Sequence, residues 1–302
     1  MDKVILAVAA QEQYELLDTG GEEKLERFGS VVLARPDPQA LWDKRLSLSE
    51  WTKADGSYVR AKGQGTLSAG RQGEWQTSTD LSKQWPIVFG GLRFYIRATS
   101  FKHTGLFPEQ LSNWEWTKEK LLTVKNPSVL NLFAYTGGAT LIAAQAGAHV
   151  THVDASKTAV AWARENAELS GLSDRPIRWI VDDVSLFVKR EIKRGNKYDA
   201  IIMDPPAFGH GAKDELWKIE EDFMPLMALC EQLLSDTPLF VLISGYAAGY
   251  SPLAFAYNLE RFENKFGGSV SCGDLAIMES EAKNRQGEPR LLPCGIFGRW
   301  SR

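Results

Sequence analysis

Residues 128–156, SVLNLFAYTGGATLIAAQAGAHVTHVDAS, limit what this chain can fold into more than any other stretch. Ser128 to Phe133 is a short apolar run that reads as a buried strand. Ala134 to Gly138 makes a tight turn with two glycines, and Ala139 to Ala146, rich in Ala, Leu and Ile, reads as a helix packed back on the sheet. His149 to Val153 is a second buried strand, ending on Asp154. Together they form a βαβ unit. Its glycine turn lets a ligand approach the backbone, its helix N-terminus offers free N–H groups, and an acid ending the second strand accepts bonds from ribose hydroxyls. Asp154 lies seventeen positions after Gly137, close to the roughly 20 expected for such an acid. A nucleoside-bearing cofactor is therefore expected, against the alternative of an ordinary α/β turn with a surface Asp. A dinucleotide is disfavoured, because the turn lacks the G-x-G-x-x-G pattern that seats a pyrophosphate and carries a bulky Tyr135.

Strand and helix continue to alternate downstream. Ser156 to Ser170 reads as a helix capped by Ser156 and closed by Gly171. Ile177 to Val181 is a third strand with Asp182 and Asp183 at its end, Val184 to Lys193 a helix, and Tyr198 to Met203 a fourth strand stopped by Asp204-Pro205-Pro206. Asp214 to Leu234 reads as a long helix, Leu239 to Ile243 as a fifth strand and Pro252 to Phe262 as a helix. Ser269 to Glu279 and Leu291 to Trp300 are a final strand pair. This order predicts an α/β fold with a doubly wound, Rossmann-like parallel sheet and an antiparallel edge.

Residues 1–107 differ. They lack a helical period of any length and carry short strands at Val4 to Val8, Gly29 to Ala34, Ile87 to Phe89 and Leu92 to Ala98. Turns fall at Ala54-Asp55-Gly56-Ser57 and Ala69-Gly70-Arg71-Gln72-Gly73. This part is read as a β-rich substrate-binding domain with an aromatic core. From Pro108, which suits a first helical turn, a joining helix leads into a cofactor domain spanning 108–302.

Composition narrows the function classes. At 302 residues, 44% hydrophobic and 24% charged, the chain matches a globular protein of one or two domains. No apolar run approaches the roughly 20 residues that span a bilayer, and the N-terminus lacks a signal-peptide pattern, so a cytoplasmic location without membrane partners is expected. Cys230, Cys272 and Cys294 are too scattered for a disulfide framework or a zinc site, and no metal is expected. A net charge of −3 argues against a non-specific nucleic-acid binder. Locally the balance changes: between Asp80 and Glu109 lie Lys83, Arg93, Arg97 and Lys102 and no acid, interleaved with Trp85, Phe89, Phe94, Tyr95, Phe101 and Phe107. Such a stretch suits phosphates and unstacked bases, or it is a strand-rich subdomain with aromatics inside and solvated cations outside.

In a doubly wound sheet, ligands bind beyond the carboxyl ends of the strands. The turn 134–138, Asp154, the Asp182–Asp183 pair and Asp204-Pro205-Pro206-Ala207-Phe208 all fall there. The two prolines hold the backbone extended without an N–H to donate, so Asp204 and the proline carbonyls point at a ligand while Phe208 offers a face for a planar base. The alternative is a rigid strand-to-helix loop with a buried Phe.

Asn131-Leu132-Phe133-Ala134-Tyr135-Thr136-Gly137-Gly138, Val153-Asp154-Ala155-Ser156, Asp182-Asp183-Val184 and Asp204-Pro205-Pro206-Ala207-Phe208 resemble motifs one to four of class I S-adenosylmethionine-dependent methyltransferases. The resemblance extends to the bacterial large-subunit ribosomal RNA methyltransferases, which methylate cytosine or guanine. His103-Thr104-Gly105-Leu106-Phe107-Pro108-Glu109-Gln110 is similar to that family's segment before the cofactor domain. The resemblance implies that Phe133, Ala134, Tyr135, Thr136 and Gly137 hold the methionine part of S-adenosylmethionine, Asp154 the ribose and Asp183 the adenine amino group. It implies that Asp204, Pro205, Pro206 and Phe208 serve the methyl acceptor, and it adds Gln110, Ser156, Asp182 and Asp204 to the cofactor set.

Two departures bear on the acceptor. The cytosine-methylating members carry a Cys after the fifth strand, because making carbon five nucleophilic requires a thiolate to add first. Here that position reads Ile243-Ser244-Gly245-Tyr246, and the members' Asp-Gln pair reads Glu109-Gln110. The RNA-binding appendage of the cytosine members is likewise not expected from these residues. The expected activity is therefore transfer of a methyl group to a nitrogen of a ribosomal RNA base by direct displacement, which the protein assists by positioning. A protein or small-molecule acceptor, and a cofactor-binding protein without turnover, are the alternatives.

Overall fold

In the computed structural model of the chain, residues 3–60, 73–100, 102–211, 215–246, 249–281 and 287–302 are described. The expected turn at 69–73 lies largely outside them. The chain divides into two compact units. One contains Ala7–Glu109 and Ala276–Cys294; the other contains Met1–Leu6, Gln110–Leu275 and Gly295–Arg302.

After β1 (Lys3–Val8), the first unit builds a five-stranded sheet from β2 (Tyr14–Gly20), β3 (Glu23–Phe28), β4 (Val31–Pro36), β5 (Gly56–Arg60) and β6 (Gly73–Thr77), in that order. A single helical turn, α1 (Leu48–Trp51), precedes β5, and β7 (Trp85–Phe89) pairs with β8 (Leu92–Ile96) as a hairpin. The aromatics of the basic stretch divide. Phe89 and Phe94 are buried, Phe89 edge-on to Tyr14 at 5.7 Å, whereas Lys83 and Arg93 are exposed. Packing thus accounts for Phe89 and Phe94.

Residues 276–294 belong with this unit, although sequence order places them in the cofactor domain. Arg290 explains the placement: it donates to the Asp18 carboxylate at 3.2 Å and the Thr19 carbonyl at 2.6 Å, and it also pairs with Glu279. Asp18 and Glu279 are both buried. Buried carboxylates without such partners cost several kcal/mol each, on the order of the penalty for a desolvated ion.

A 3-10 turn, Pro108–Gln110, leads from the first unit into the second, and its last residue, Gln110, is the N-cap of α2 (Leu111–Leu121). The second unit continues through β9 (Ser128–Leu132), α3 (Gly138–Gln145), β10 (His149–Asp154), α4 (Lys157–Leu169), β11 (Ile177–Val181), α5 (Val184–Lys193) and β12 (Ala200–Met203). Then follow β13 (Phe208–His210), β14 (Leu216–Lys218), α6 (Ile219–Leu233), β15 (Phe240–Gly245), α7 (Pro252–Phe266), β16 (Ser269–Met278) and β17 (Leu291–Ser301). The large sheet has the order β1-β16-β17-β15-β12-β9-β10-β11. The strands from β15 to β11 are parallel, and β17 runs antiparallel to β15.

Alternation along the strands decides the two cores. Leu130, Leu132, Val153, Ile201, Met203, Val241 and Ile243 pack against α5, α6 and α7. Val129, Val150, Ala200, Ile202, Phe240 and Leu242 face the other way, with Leu121 of α2 and Ala143 and Ala144 of α3. The doubly wound expectation holds, with two corrections. Val4 to Val8, read as a strand of the β-rich part, lies in β1 at the edge of the large sheet. The helix expected over 214–234 begins only at Ile219, because Leu216–Lys218 pairs with Phe208–His210 as a hairpin. Among the described residues, no helix is long and apolar enough to cross a membrane.

Candidate active site

The chain leaves β9 in one direction through β10 and β11, and in the other through β12 and β15, so the crevice between β9 and β12 is the switch point of the sheet. Parallel register sets Val153, Leu132, Met203 and Ile243 side by side. The residues that follow them, Asp154, the turn 133–138, Asp204 and Ser244, therefore share one end of the sheet.

The turn is held from beneath. Phe133 and Tyr135 adopt left-handed φ values of 54° and 47°, and Gly137 has φ of 89°. Each non-glycine residue there costs on the order of 1 kcal/mol, which surrounding contacts must offset. They do so in three places. Asn166 of α4 donates to the Thr136 carbonyl at 3.0 Å. The Tyr135 N–H donates to Asp154 Oδ2 at 2.8 Å. Asn131, the polar residue in the buried run of β9, donates to Thr140 Oγ1 at 2.9 Å, and Thr140 meets His152 Nδ1 at 2.9 Å. Burial pushes His152 down to about 3, so this imidazole is neutral. Gly138 is dictated by approach rather than by dihedral: a Cβ there would lie 2.2 Å from Trp114 Cζ2.

The acids differ in how they are used. Asp154 is half-buried; its Oδ2 accepts from Tyr135 N and its Oδ1 from Ser156 N, both at 2.8 Å, and desolvation outweighs these bonds to hold its pKa above the usual carboxylate range. Ser156 caps α4 by accepting from Ala159 N at 3.2 Å. Asp182 is paired with Arg190. Asp183 caps α5, its Oδ1 accepting from Leu186 N at 2.8 Å. By contrast, α3 has no side-chain cap, so the N–H groups of its first turn stay open.

Asp204 follows β12. Burial pushes it up to about 6, partly offset by a hydrogen bond from Ser244. Gln110 Nε2 donates to Asp204 Oδ2 at 3.3 Å. The Pro206 carbonyl, expected from sequence to face a ligand, instead accepts from Trp217 Nε1 at 2.7 Å. That bond, with Ile219 N donating to the Ala207 carbonyl at 3.1 Å, anchors the β13–β14 hairpin. Trp217 also lies 4.8 Å from the Phe133 ring, tying the hairpin to the turn. Phe208 is 56% exposed, so the reading of it as a buried loop Phe is discarded. Ser244, Trp217 and Asn113 were not singled out in the sequence; only the position of Ser244 just past the fifth strand marked it there. A cavity of about 320 Å³ lined by Asp199, Thr237, Leu239 and Arg302 opens at the opposite end of the sheet, away from this site.

A switch-point crevice walled by a strained glycine turn, strand-end acids and a rigid proline hairpin defines a Rossmann-like enzyme for a nucleoside-bearing cofactor. Residues 30–254 match the model of the S-adenosylmethionine-dependent methyltransferase family, and the chain belongs to that family. It is similar to a methyltransferase from Agrobacterium tumefaciens described as S-adenosylmethionine-dependent, with 38% identity and a TM-score of 0.91 over 99% of this chain and 93% of that one. A structure described as a methyltransferase complexed with SAH shares 19% identity and a TM-score of 0.63, over 95% of this chain and 75% of that one, a likeness of fold. Among curated relatives, a ribosomal RNA large subunit methyltransferase K/L from Shewanella baltica is 34% identical over 149 residues. That match takes in 49% of this chain but 20% of the relative, so the chain spans about a fifth of the relative's length.

Proposed function

We propose that this methyltransferase acts on a nitrogen of a ribosomal RNA base by direct in-line displacement. S-adenosylmethionine supplies a methyl group on a positively charged sulfur, open to attack by a lone pair. The residues of the crevice fit it. Each oxygen of Asp154 accepts one backbone N–H and keeps a lone pair for a ribose hydroxyl. The uncapped start of α3 offers N–H groups to the carboxylate of the methionine part. Asp183 keeps Oδ2 for the adenine amino group, whereas Asp182, bound to Arg190, braces the strand end.

On the acceptor side, Asp204 and the Pro205 carbonyl are both hydrogen-bond acceptors, matching an amino group or ring N–H of a base. A carboxylate poised at about 6 is largely ionised at neutral pH yet basic enough to take the proton that the nitrogen sheds as it is methylated. Phe208 supplies the stacking face. The observation that carries the nitrogen reading is this acceptor pair together with the lack of a thiol beside it: Ser244, near the end of β15, stands where the cytosine members carry their Cys, and Cys230 is buried in α6 with its thiol pushed up to about 12. The names of the curated relatives support ribosomal RNA as the acceptor. Transfer of label from methyl-labelled S-adenosylmethionine to ribosomal RNA and ribosomal subunits tests the reading, with Phe208→Ala alongside. RNA labelled by the parent alone supports it. Tight cofactor binding with unlabelled RNA moves the acceptor to a protein or small molecule, and full turnover in Phe208→Ala removes the stacking role.

A further inference from the structure

Arg299 on β17 is a buried cation that no carboxylate among the described residues neutralises. It is 8% exposed, and desolvation alone lowers its pKa, to about 10. Its guanidinium lies over the Trp116 ring at 4.9 Å and over the Phe297 ring at 4.6 Å. It donates to Asn113 Oδ1 through Nε at 3.1 Å and Nη2 at 2.7 Å, and to the Ser112 carbonyl at 2.9 Å. A buried charge in that condition costs several kcal/mol, on the order of the desolvation penalty of one ion, and stability alone gives no reason to keep it.

The amides beyond it supply one. A guanidinium has only donors, so Asn113 must turn its oxygen toward Arg299 and its nitrogen away. Asn113 Nδ2 then donates to Gln110 Oε1 at 2.8 Å, which leaves Gln110 Nε2 pointing at Asp204 Oδ2, 3.3 Å away. Without Arg299 both amides are free to flip, and a flipped Gln110 sets its oxygen against the carboxylate. We infer that Arg299 is a positioning residue that acts through Asn113 and Gln110 to hold a hydrogen-bond donor on Asp204. The inference rests on the reading of Asp204 as the group that faces the methyl acceptor. The other side chain on Asp204 is Ser244 of β15, and among the described residues no charged side chain acts on it directly. The influence of Arg299 thus travels through the amides.

The titration of Asp204 reads this chain without needing an acceptor, so it stands apart from the RNA reading. The full-length protein is labelled with 13C at Asp carboxyls, and the Asp204 resonance is assigned by its loss in Asp204→Asn. Its midpoint is followed in the parent, Arg299→Met, Asn113→Leu and the double variant. A donor to the ionised form lowers the midpoint, so each single change should raise it by about 0.5–1 pH unit, a change of about three- to tenfold in proton affinity. The double variant should move it no further than the larger single, because both cut the same chain. Midpoints unmoved while melting temperatures fall would make Arg299 merely structural. Additive shifts would mean that it acts by its field alone. Either result overturns the proposal. Where Asn113→Leu does not fold, Gln110→Met with Arg299→Met gives the same cycle, with Arg299→Met then expected to be silent in the Gln110→Met background.

Discussion

Replacing Asp204 with Asn separates what the site gains in chemistry from what it loses in stability. Burial raises this carboxyl from an ordinary 3.8 to about 6, against the pull of Ser244. The difference corresponds to about 3 kcal/mol, at about 1.4 kcal/mol per tenfold change in proton affinity. Because solvent still reaches part of the residue, the figure carried forward is about 1–3 kcal/mol. The direction fixes the sign. An acid that holds its proton more tightly when folded contributes stability below its unfolded value and loses it as the pH rises through the folded one. At neutral pH the folded protein therefore carries an ionised Asp204 at a net cost. Asn keeps the shape and the oxygen that Gln110 addresses, and removes the charge.

Asp204→Asn should accordingly be more stable than the parent by about 1–3 kcal/mol at neutral pH, a rise of a few degrees in melting temperature. The gain should shrink toward zero as the pH falls below the ordinary carboxylate value, where the parent is protonated in both states. Methyl transfer should be lost throughout. Thermal melts of the two proteins across this pH range, paired with a transfer assay, decide it. A variant that is equally stable or less stable at neutral pH, or whose advantage does not change with pH, refutes the claim that the carboxylate is ionised against its surroundings.

Three further outcomes follow from the same geometry. Asp154→Asn should weaken S-adenosylmethionine binding by about ten- to a hundredfold, the loss of a charge-assisted bond worth about 1.5–3 kcal/mol, whereas Asp182→Asn should leave it within about threefold because only the Arg190 pair is lost; calorimetric titration of both checks the contrast. Gly138→Ala should destabilise by about 1–3 kcal/mol despite the better helix propensity of Ala, because its Cβ meets Trp114, and a chemical denaturation curve reads it. Cys230→Ala should lower stability by about 1–2 kcal/mol while leaving transfer at the parental rate, and a fall in transfer beyond the unfolded fraction would reopen the covalent route.

The legible part of the fold is the part in which one residue's environment is set by its near neighbours. Buried parallel strands appear as apolar runs, and their ends as Asp154, Asp183 and Asp204, because a parallel sheet covered on both faces leaves polar groups only at its rims. Ser156 and Asp183 also follow from local rules, since a capping side chain serves its own helix. What local rules miss is settled by distant partners. Leu216-Trp217-Lys218 continues into a helical run and reads as helix, yet Trp217 is drawn to the Pro206 carbonyl and the Phe133 ring. Val4 to Val8 is recognisable as a strand, but nothing in it says which sheet it joins. Residues 276–294 go with the N-terminal unit through Arg290 and Asp18, 272 positions apart. The Asn113–Arg299 contact spans 186 positions and involves a residue whose own strand looks ordinary.

The way Arg299 reaches Asp204 bears on why the link is built from amides. A guanidinium set directly against the carboxylate would favour its ionised form strongly and pull its pKa well down, by about 1–3 pH units for an adjacent opposite charge. Such a carboxylate would accept a hydrogen bond but would be a poor proton acceptor near neutral pH, where catalytic bases work best with a matched pKa. Leaving Asp204 without any oriented partner has the opposite fault, since burial alone would raise it further and let Gln110 present either end of its amide. Two amides in series keep the orientation that a cation imposes and hold the cation itself away. Asp204 then sits at about 6 with two neutral donors on it, Gln110 and Ser244, and no cation beside it among the described residues. The costs are visible elsewhere in the same unit: a buried Arg299 without an acid partner among the described residues, and Phe133 and Tyr135 in left-handed conformations. Each is a loss of folding free energy at a point that faces or supports the crevice, the pattern expected where stability has been traded for a poised site.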